Sequence, residues 1–305
     1  MTAERLNVLK APALDSPARS LPPDRTPMRV AAVQHRWHGD AKAHEKAMAA
    51  AVRQAAAEGA RLVCLQELTL SPYFASNADG ATKAEAIPDG PTSRFATGLA
   101  QETGAYVHAS LYERAPDQGL GYDTAIVASP DGRVAVQTRK LHIPSGAGYH
   151  EDHYFRPGAA KGAYEVVELE QGRFGFPTCW DQWFPELARI YSMRGAEVLV
   201  YPTAIGSEPE HPDFDSEPQW ERVIIANGIM NGTFMIAINR IGDEGRLTFY
   251  GSSFISDPYG RKLVQAPRDE PAILIADLDL DQRRDWLEVF PLLEARRPEV
   301  YGPLV

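Results

Sequence analysis

The chain has 305 residues, 44% of them hydrophobic, which is enough to bury a large core and excludes wholesale disorder. A formal charge of −10, with the basic residues scattered, excludes the clustered footprint of a nucleic-acid or anionic-membrane binder; neutral or cationic partners fit better. No apolar run approaches the ~20 residues of a membrane span and no signal-peptide pattern opens the chain, so a cytoplasmic protein is expected. The two cysteines, Cys64 and Cys179, lie far apart and are expected to be free thiols.

Residues 1–27 carry five prolines (Pro12, Pro17, Pro22, Pro23, Pro27) and no periodic apolar face, which predicts a flexible arm without core contacts. "MRVAAVQ" (28–34) reads as a buried strand. Asp40 then caps a helix whose apolar face runs through Ala47, Met48, Ala51, Val52 and Ala55 to a stop at Gly59. With "RLVCLQE" (61–67) as the next strand, this is a β-α-β unit, and such units imply a parallel sheet covered by helices.

A helix follows near 92–103, then three β-rich runs: "AYVHASLYER", "YDTAIVASP" and "VAVQTRK". "FGFPTC" reads as a strand, 184–194 as a helix, "EVLVYP" as a strand, and "SEPQ" (216–219) as the capping box of another helix. "TFMIAIN", "TFYGSSFIS" and "AILIADLDL" complete the strands. About a dozen short strands with four main helices, and no composition break, predict one α/β domain over 28–305 with more than one sheet layer.

Cys179 falls where a strand-like run meets a helix-like one, a turn that exposes a nucleophile and aims backbone N–H groups beside it. A lone cysteine is more often a small buried hydrophobe, and Cys64, inside "LVCLQ", is read so. A reactive thiol needs a base or a cation. His142, His150 and His153 are candidates but serve equally as structural histidines. The run from His150 through Glu151 and Asp152 to His153 is too loose, without a second cluster, to argue for a metal. Glu67, ending an apolar strand, is a carboxylate that burial would make basic, and Lys140 ends another strand. Each alone reads equally as a surface charge.

Three segments in order, "LQELTLSPYF", "RKLHIP" and "CWDQWFPELAR", resemble the Glu, Lys and Cys motifs of the nitrilase superfamily of carbon–nitrogen hydrolases, over nearly everything from residue 28 onward. "GYHEDHYFRPG", "YPTAIGSEP", "NRIG" and "TFYGSSFISDP" extend the resemblance toward N-carbamoylputrescine amidohydrolases, with β-ureidopropionases as near relatives. The resemblance implies a four-layer αββα sandwich, no cofactor and no metal, and a homodimer or higher homo-oligomer. It implies Glu67 as base, Lys140 and the Trp180 backbone N–H as oxyanion donors, Cys179 as nucleophile, and Glu151 as a second glutamate orienting substrate and lysine.

The implied reaction is hydrolysis of a small N-carbamoyl amine or amide, with N-carbamoylputrescine to putrescine, CO2 and ammonia foremost. N-carbamoyl-β-alanine, an aliphatic ω-amide, or an inactive nitrilase-like interaction protein are the alternatives. Some relatives that take carboxylate-bearing substrates have arginines just after the nucleophile. Here stand Trp180, Asp181 and Gln182, and with Glu208 as a possible ammonium acceptor this favours an amine-bearing substrate. Arg222 in "WERVIIANG" is placed equally well near the site or on the helix surface. Pro177, two residues before Cys179, donates no ladder hydrogen bond, so its strand must bulge or lie unpaired there.

Overall fold

The computed structural model describes residues 5–80 and 82–304. The strands in chain order are β1 (Asn7–Ala11), β2 (Met28–Gln34), β3 (Leu62–Leu65), β4 (Tyr106–Glu113), β5 (Tyr122–Ala128), β6 (Val134–Arg139), β7 (Ser145–Gly146), β8 (Tyr149–His150) and β9 (Val166–Leu169). They continue as β10 (Gly172–Gly175), β11 (Val198–Pro202), β12 (Phe234–Ile238), β13 (Ile241–Asp243), β14 (Thr248–Tyr250), β15 (Phe254–Ser256), β16 (Lys262–Gln265) and β17 (Ala272–Leu278). The helices are α1 (Ala41–Ala57), α2 (Pro91–Thr103), α3 (Pro185–Met193), α4 (Glu217–Asn231) and α5 (Gln282–Val289).

Two large sheets form, in the orders β1-β17-β2-β3-β4-β5-β6 and β16-β15-β12-β11-β10-β9. Side chains alternate across a strand, and β2 shows the result: Val30 and Ala32 join a cluster with Phe174, Val198 and Phe234 of the other sheet, while Ala31 and Val33 meet Met48 and Val52 of α1. Both faces are buried, which is why these strands read as continuous apolar runs. The second sheet packs its outer face on α3 and α4 through Leu187, Tyr191, Trp220 and Ile224. The layers are therefore helix, sheet, sheet, helix, and Cys64 lies fully buried in the inter-sheet cluster.

The expected β-α-β unit is present, with β2 and β3 parallel and the Asp40 side chain accepting from the Ala43 N–H at 2.9 Å. Ser216 does stand at the start of α4, but its backbone is already helical (φ −81°, ψ −8°) and no side-chain cap bond forms. A capping hydroxyl needs an extended backbone to reach the next turn's N–H, so the expected capping box is absent.

The larger correction concerns the arm. Its first four residues lie outside the described ones, but residues 7–11 form β1, paired in parallel with β17 along the edge of the first sheet. Arg19 pairs with Asp279 and, at 2.9 Å, with the fully buried Asp285, while Arg25 binds Asp281 at 2.9 Å and Glu197 at 2.9 Å. Leu6, Val8 and Leu9 enter the core clusters. The segment is held by its arginines and by an edge strand whose partner lies at the far end of the chain, so residues 5–27 are part of the folded body.

Candidate active site

Three strands end at one place. β3 stops at Leu65, β6 at Arg139 and β10 at Gly175, and the chain continues from them into Glu67, Lys140 and Cys179. Lys140 Nζ donates to Glu67 Oε1 at 2.8 Å and to Glu151 Oε2 at 2.5 Å, and these three side chains are at most 1% exposed. Tyr73 donates its hydroxyl to the other Glu151 oxygen at 2.9 Å, so each oxygen of that carboxylate has a donor. Glu67 is fixed through its backbone: its carbonyl accepts from Arg240 Nη2 at 3.0 Å, and the buried Arg240 pairs with Glu244 at 2.7 Å. Leu68, immediately after, takes a left-handed φ of 49°, which turns the chain away from the glutamate.

Cys179 opens a 3-10 turn, Cys179–Trp183, with φ +40°, a conformation that costs a non-glycine residue on the order of 1–3 kcal/mol and is held only by its surroundings. Asp181 supplies the hold. Its carboxylate accepts from the Thr178 N–H at 3.3 Å, from the Leu141 N–H at 3.3 Å, and from both the backbone N–H (3.0 Å) and Nδ1 (2.7 Å) of His142. Asp181 thus ties the segment after Lys140 to the turn bearing Cys179. It is 1% exposed and does not line the cavity, which corrects its expected place beside the substrate. His142 is consumed in this bond and in stacking on Phe184 at 3.6 Å. Pro177 lies beyond the ladder, whose last pair on this strand is Gly175 with Leu199, so its missing N–H costs no sheet bond.

Burial raises the Cys179 thiol well above its usual range, and the Glu67 charge adds to this against the opposing pull of the Lys140 ammonium. For Lys140 burial works downward, but the charges of Glu151 and Glu67 outweigh it and keep the ammonium firmly protonated. The thiol is therefore neutral at rest and needs a base, while the lysine can act only as a cation or donor. Carboxylate oxygens of Glu67, Asp123 and Glu151 lie within 4.8 Å of one another, a donor set that could hold a metal. The cation already among them is Lys140, whose Nζ is also 3.5 Å from Asp123, so an ion would have to share those oxygens with the ammonium. His150 and His153 join no such group among the described residues.

A cavity of about 530 Å³, within the range for small-molecule sites, opens onto Cys179 and Glu151. Trp180, Trp183, Tyr149 and Phe214 give it aromatic walls, Glu208 and Glu210 bring two carboxylates and His211 an imidazole, and no lysine or arginine among the described residues lines it. Glu208, named from the sequence as an ammonium acceptor, is among the lining residues. Arg222 is on the exposed face of α4 and away from the cavity.

Asp123 and Tyr73 escaped the sequence reading. The signal for Asp123 was present: a lone acid in "YDTAIVA", an otherwise buried strand, has to find a buried partner.

The fold of two sheets between helix layers, with buried Glu, Lys and Cys at the strand ends, defines an enzyme scaffold, and the chain belongs to the carbon–nitrogen hydrolase family, which it matches over residues 29–288. Among its relatives, a citrullinase from Francisella tularensis is 36% identical over 91% of this chain and 98% of its own. An N-carbamoylputrescine amidase from Solanum lycopersicum is 36% identical, covering 90% of this chain and 94% of its own. Among solved structures, a carbon–nitrogen hydrolase from Helicobacter pylori superposes with a TM-score of 0.81 at 32% identity, over 91% of this chain and 98% of that one. A mutant amidase from Nesterenkonia sp., with the acetamide moiety of fluoroacetamide covalently added at its active-site cysteine, superposes with a TM-score of 0.74 at 25% identity, over 94% and 100%. The chain is thus a nitrilase-superfamily hydrolase of non-peptide C–N bonds. No helix among its described residues is long and apolar enough to cross a membrane.

Proposed function

We propose that the protein hydrolyses a small N-carbamoyl amine, with N-carbamoylputrescine the leading substrate, through Cys179. The observation that carries the substrate class is the cavity wall: aromatic surfaces and the carboxylates of Glu208 and Glu210, without a lysine or arginine. A free ammonium is stabilised by such a wall, through charge and cation–π attraction, whereas a substrate carboxylate is repelled. N-carbamoyl-β-alanine carries a carboxylate and no ammonium, citrulline carries a carboxylate beside its ammonium, and a simple ω-amide makes no use of Glu208.

The chemistry follows from the groups at the strand ends. Glu67 takes the Cys179 proton as sulfur attacks the ureido carbonyl, and the oxyanion forms beside the Lys140 ammonium and the Trp180 backbone N–H. Glu67 returns the proton to the departing nitrogen, ammonia leaves, and a thiocarbamate joins Cys179 to the amine. Water activated by Glu67 then attacks, the C–S bond breaks, and the freed carbamic acid falls apart into amine and CO2. Glu151 keeps Lys140 in place throughout.

Ammonia release from a panel of N-carbamoylputrescine, citrulline, N-carbamoyl-β-alanine and an ω-amide tests this reading, with Glu208→Gln alongside. The expected result is a preference for N-carbamoylputrescine that Glu208→Gln weakens through KM, by about tenfold for one charge-assisted bond. Turnover confined to a carboxylate-bearing substrate would overturn it.

A further inference from the structure

Three carboxylates and one ammonium meet in the buried site, and their hydrogen bonds are unequal. Both Glu151 oxygens have donors, from Lys140 and Tyr73. Glu67 has one, from Lys140 to Oε1, and Asp123 has one, from the Ser110 hydroxyl to Oδ1 at 3.0 Å. The remaining oxygens, Glu67 Oε2 and Asp123 Oδ2, are buried and without a hydrogen-bond partner. They belong to carboxyl groups of one cluster. Fully ionised, the four groups would hold two uncompensated negative charges away from water, with two orphan acceptors among them, an arrangement that burial strongly disfavours. One proton removes a charge and supplies a donor where these acceptors have none.

We infer that Asp123 carries that proton and donates it in a hydrogen bond to Glu67, acting as a neutral positioning residue that keeps the base aimed. The choice of Asp123 over its neighbours follows from their partners. Glu151 is saturated by donors. Glu67 bonds the ammonium directly at 2.8 Å, whereas Asp123 stands 3.5 Å from it and is the more weakly compensated anion. Burial, then the Glu67 charge, raises the Asp123 pKa well above the carboxylate range. The groups facing Asp123 are Glu67 beyond β3, Ser110 on β4, Lys140 beyond β6 and Glu151, with the neutral Cys179 thiol beyond the lysine. Lys140 reaches Glu67 Oε1 and the Ser110 hydroxyl is spent on Asp123 Oδ1, so neither donates to Glu67 Oε2. The Ser110 hydroxyl oxygen also accepts from the Leu68 N–H at 3.1 Å, so the same network fixes the segment following Glu67.

This inference rests on the reading of Glu67 as the base, and its test separates the two. The infrared spectrum of the whole enzyme near neutral pH should contain the carbonyl stretch of a buried protonated carboxylic acid, shifted by isotopic labelling of aspartate and lost in Asp123→Asn. Asparagine keeps a neutral donor at the same place, so Asp123→Asn should retain kcat/KM within about threefold. Asp123→Val, of similar shape but without a donor, should lose on the order of tenfold or more in kcat with KM little changed. Absence of the band in the wild type would overturn the inference whether or not Asp123→Val folds. Asp123→Asn as impaired as Asp123→Val, or Asp123→Val with full activity, would also overturn it. Full activity in Glu67→Gln would instead remove the base while leaving the wild-type band standing.

Discussion

Lys140 Nζ stands 2.8 Å from Glu67 Oε1 with both side chains wholly buried, so the cation and the base of the proposed reaction are fixed to each other. Replacing Lys140 by Met should lower kcat by about 10²–10³, the loss seen when an oxyanion donor is removed. It should also destabilise the fold by roughly 3–5 kcal/mol, because the carboxylates around it lose their counter-ion. Steady-state kinetics and a denaturant midpoint check both. A Met variant with full kcat would remove Lys140 from the chemistry.

Asp181 should behave as a positioning residue. Asp181→Ala leaves the Thr178, Leu141 and His142 donors without their acceptor, at about 1–3 kcal/mol for each donor that stays dry. The turn carrying Cys179 then loses its hold, so kcat should fall while KM changes little, and Asp181→Asn should recover part of the loss. A rise in KM alone would mean instead that Asp181 binds substrate.

The pH dependence of stability has a specific source in His108. Its ring is fully buried, stacks on Phe176 at 5.5 Å, and burial lowers its pKa from 6.5 to about 3. Between those values the unfolded chain binds the proton and the folded one does not. Stability is therefore complete above pH 6.5 and is lost as pH falls toward 3, by up to about 1.4 kcal/mol per pH unit from this one group. Urea unfolding at pH 7 and pH 5 should show a smaller drop for His108→Phe than for the wild type; equal drops would contradict the assignment.

Deleting residues 1–25 should destabilise the enzyme. It unpairs the β17 edge and takes both arginines from Asp279, Asp281 and Asp285, a loss of about 2–5 kcal/mol for breaking such buried pairs. The specific activity of the folded fraction should stay close to that of the intact chain, since no described residue of 5–27 lines the cavity. Thermal unfolding with and without the segment decides this, and an unchanged Tm would contradict the docked arrangement.

What was legible in the sequence was local pattern. The β-α-β unit and the strand-end positions of Glu67, Lys140 and Cys179 follow from apolar runs that stop at a polar residue, and the family resemblance joined the three. What escaped depends on distance along the chain. β1 pairs with a strand some 260 residues later, and the five prolines that follow it mask a five-residue edge strand. Asp181, next to Trp180 in sequence, points the other way, because four donors from two segments claim it. Asp123 gains its meaning only when β5 sets it against Lys140, whose backbone N–H donates to the Asp123 carbonyl at 2.9 Å.

The central claim is that Cys179 becomes covalently attached to the substrate. Rapid acid quenching during turnover of N-carbamoylputrescine, followed by mass spectrometry of the peptide containing Cys179, measures it directly. The expected result is an adduct equal to the substrate less ammonia in the wild type, with no adduct and no ammonia release in Cys179→Ala. Unchanged ammonia release by Cys179→Ala would contradict it.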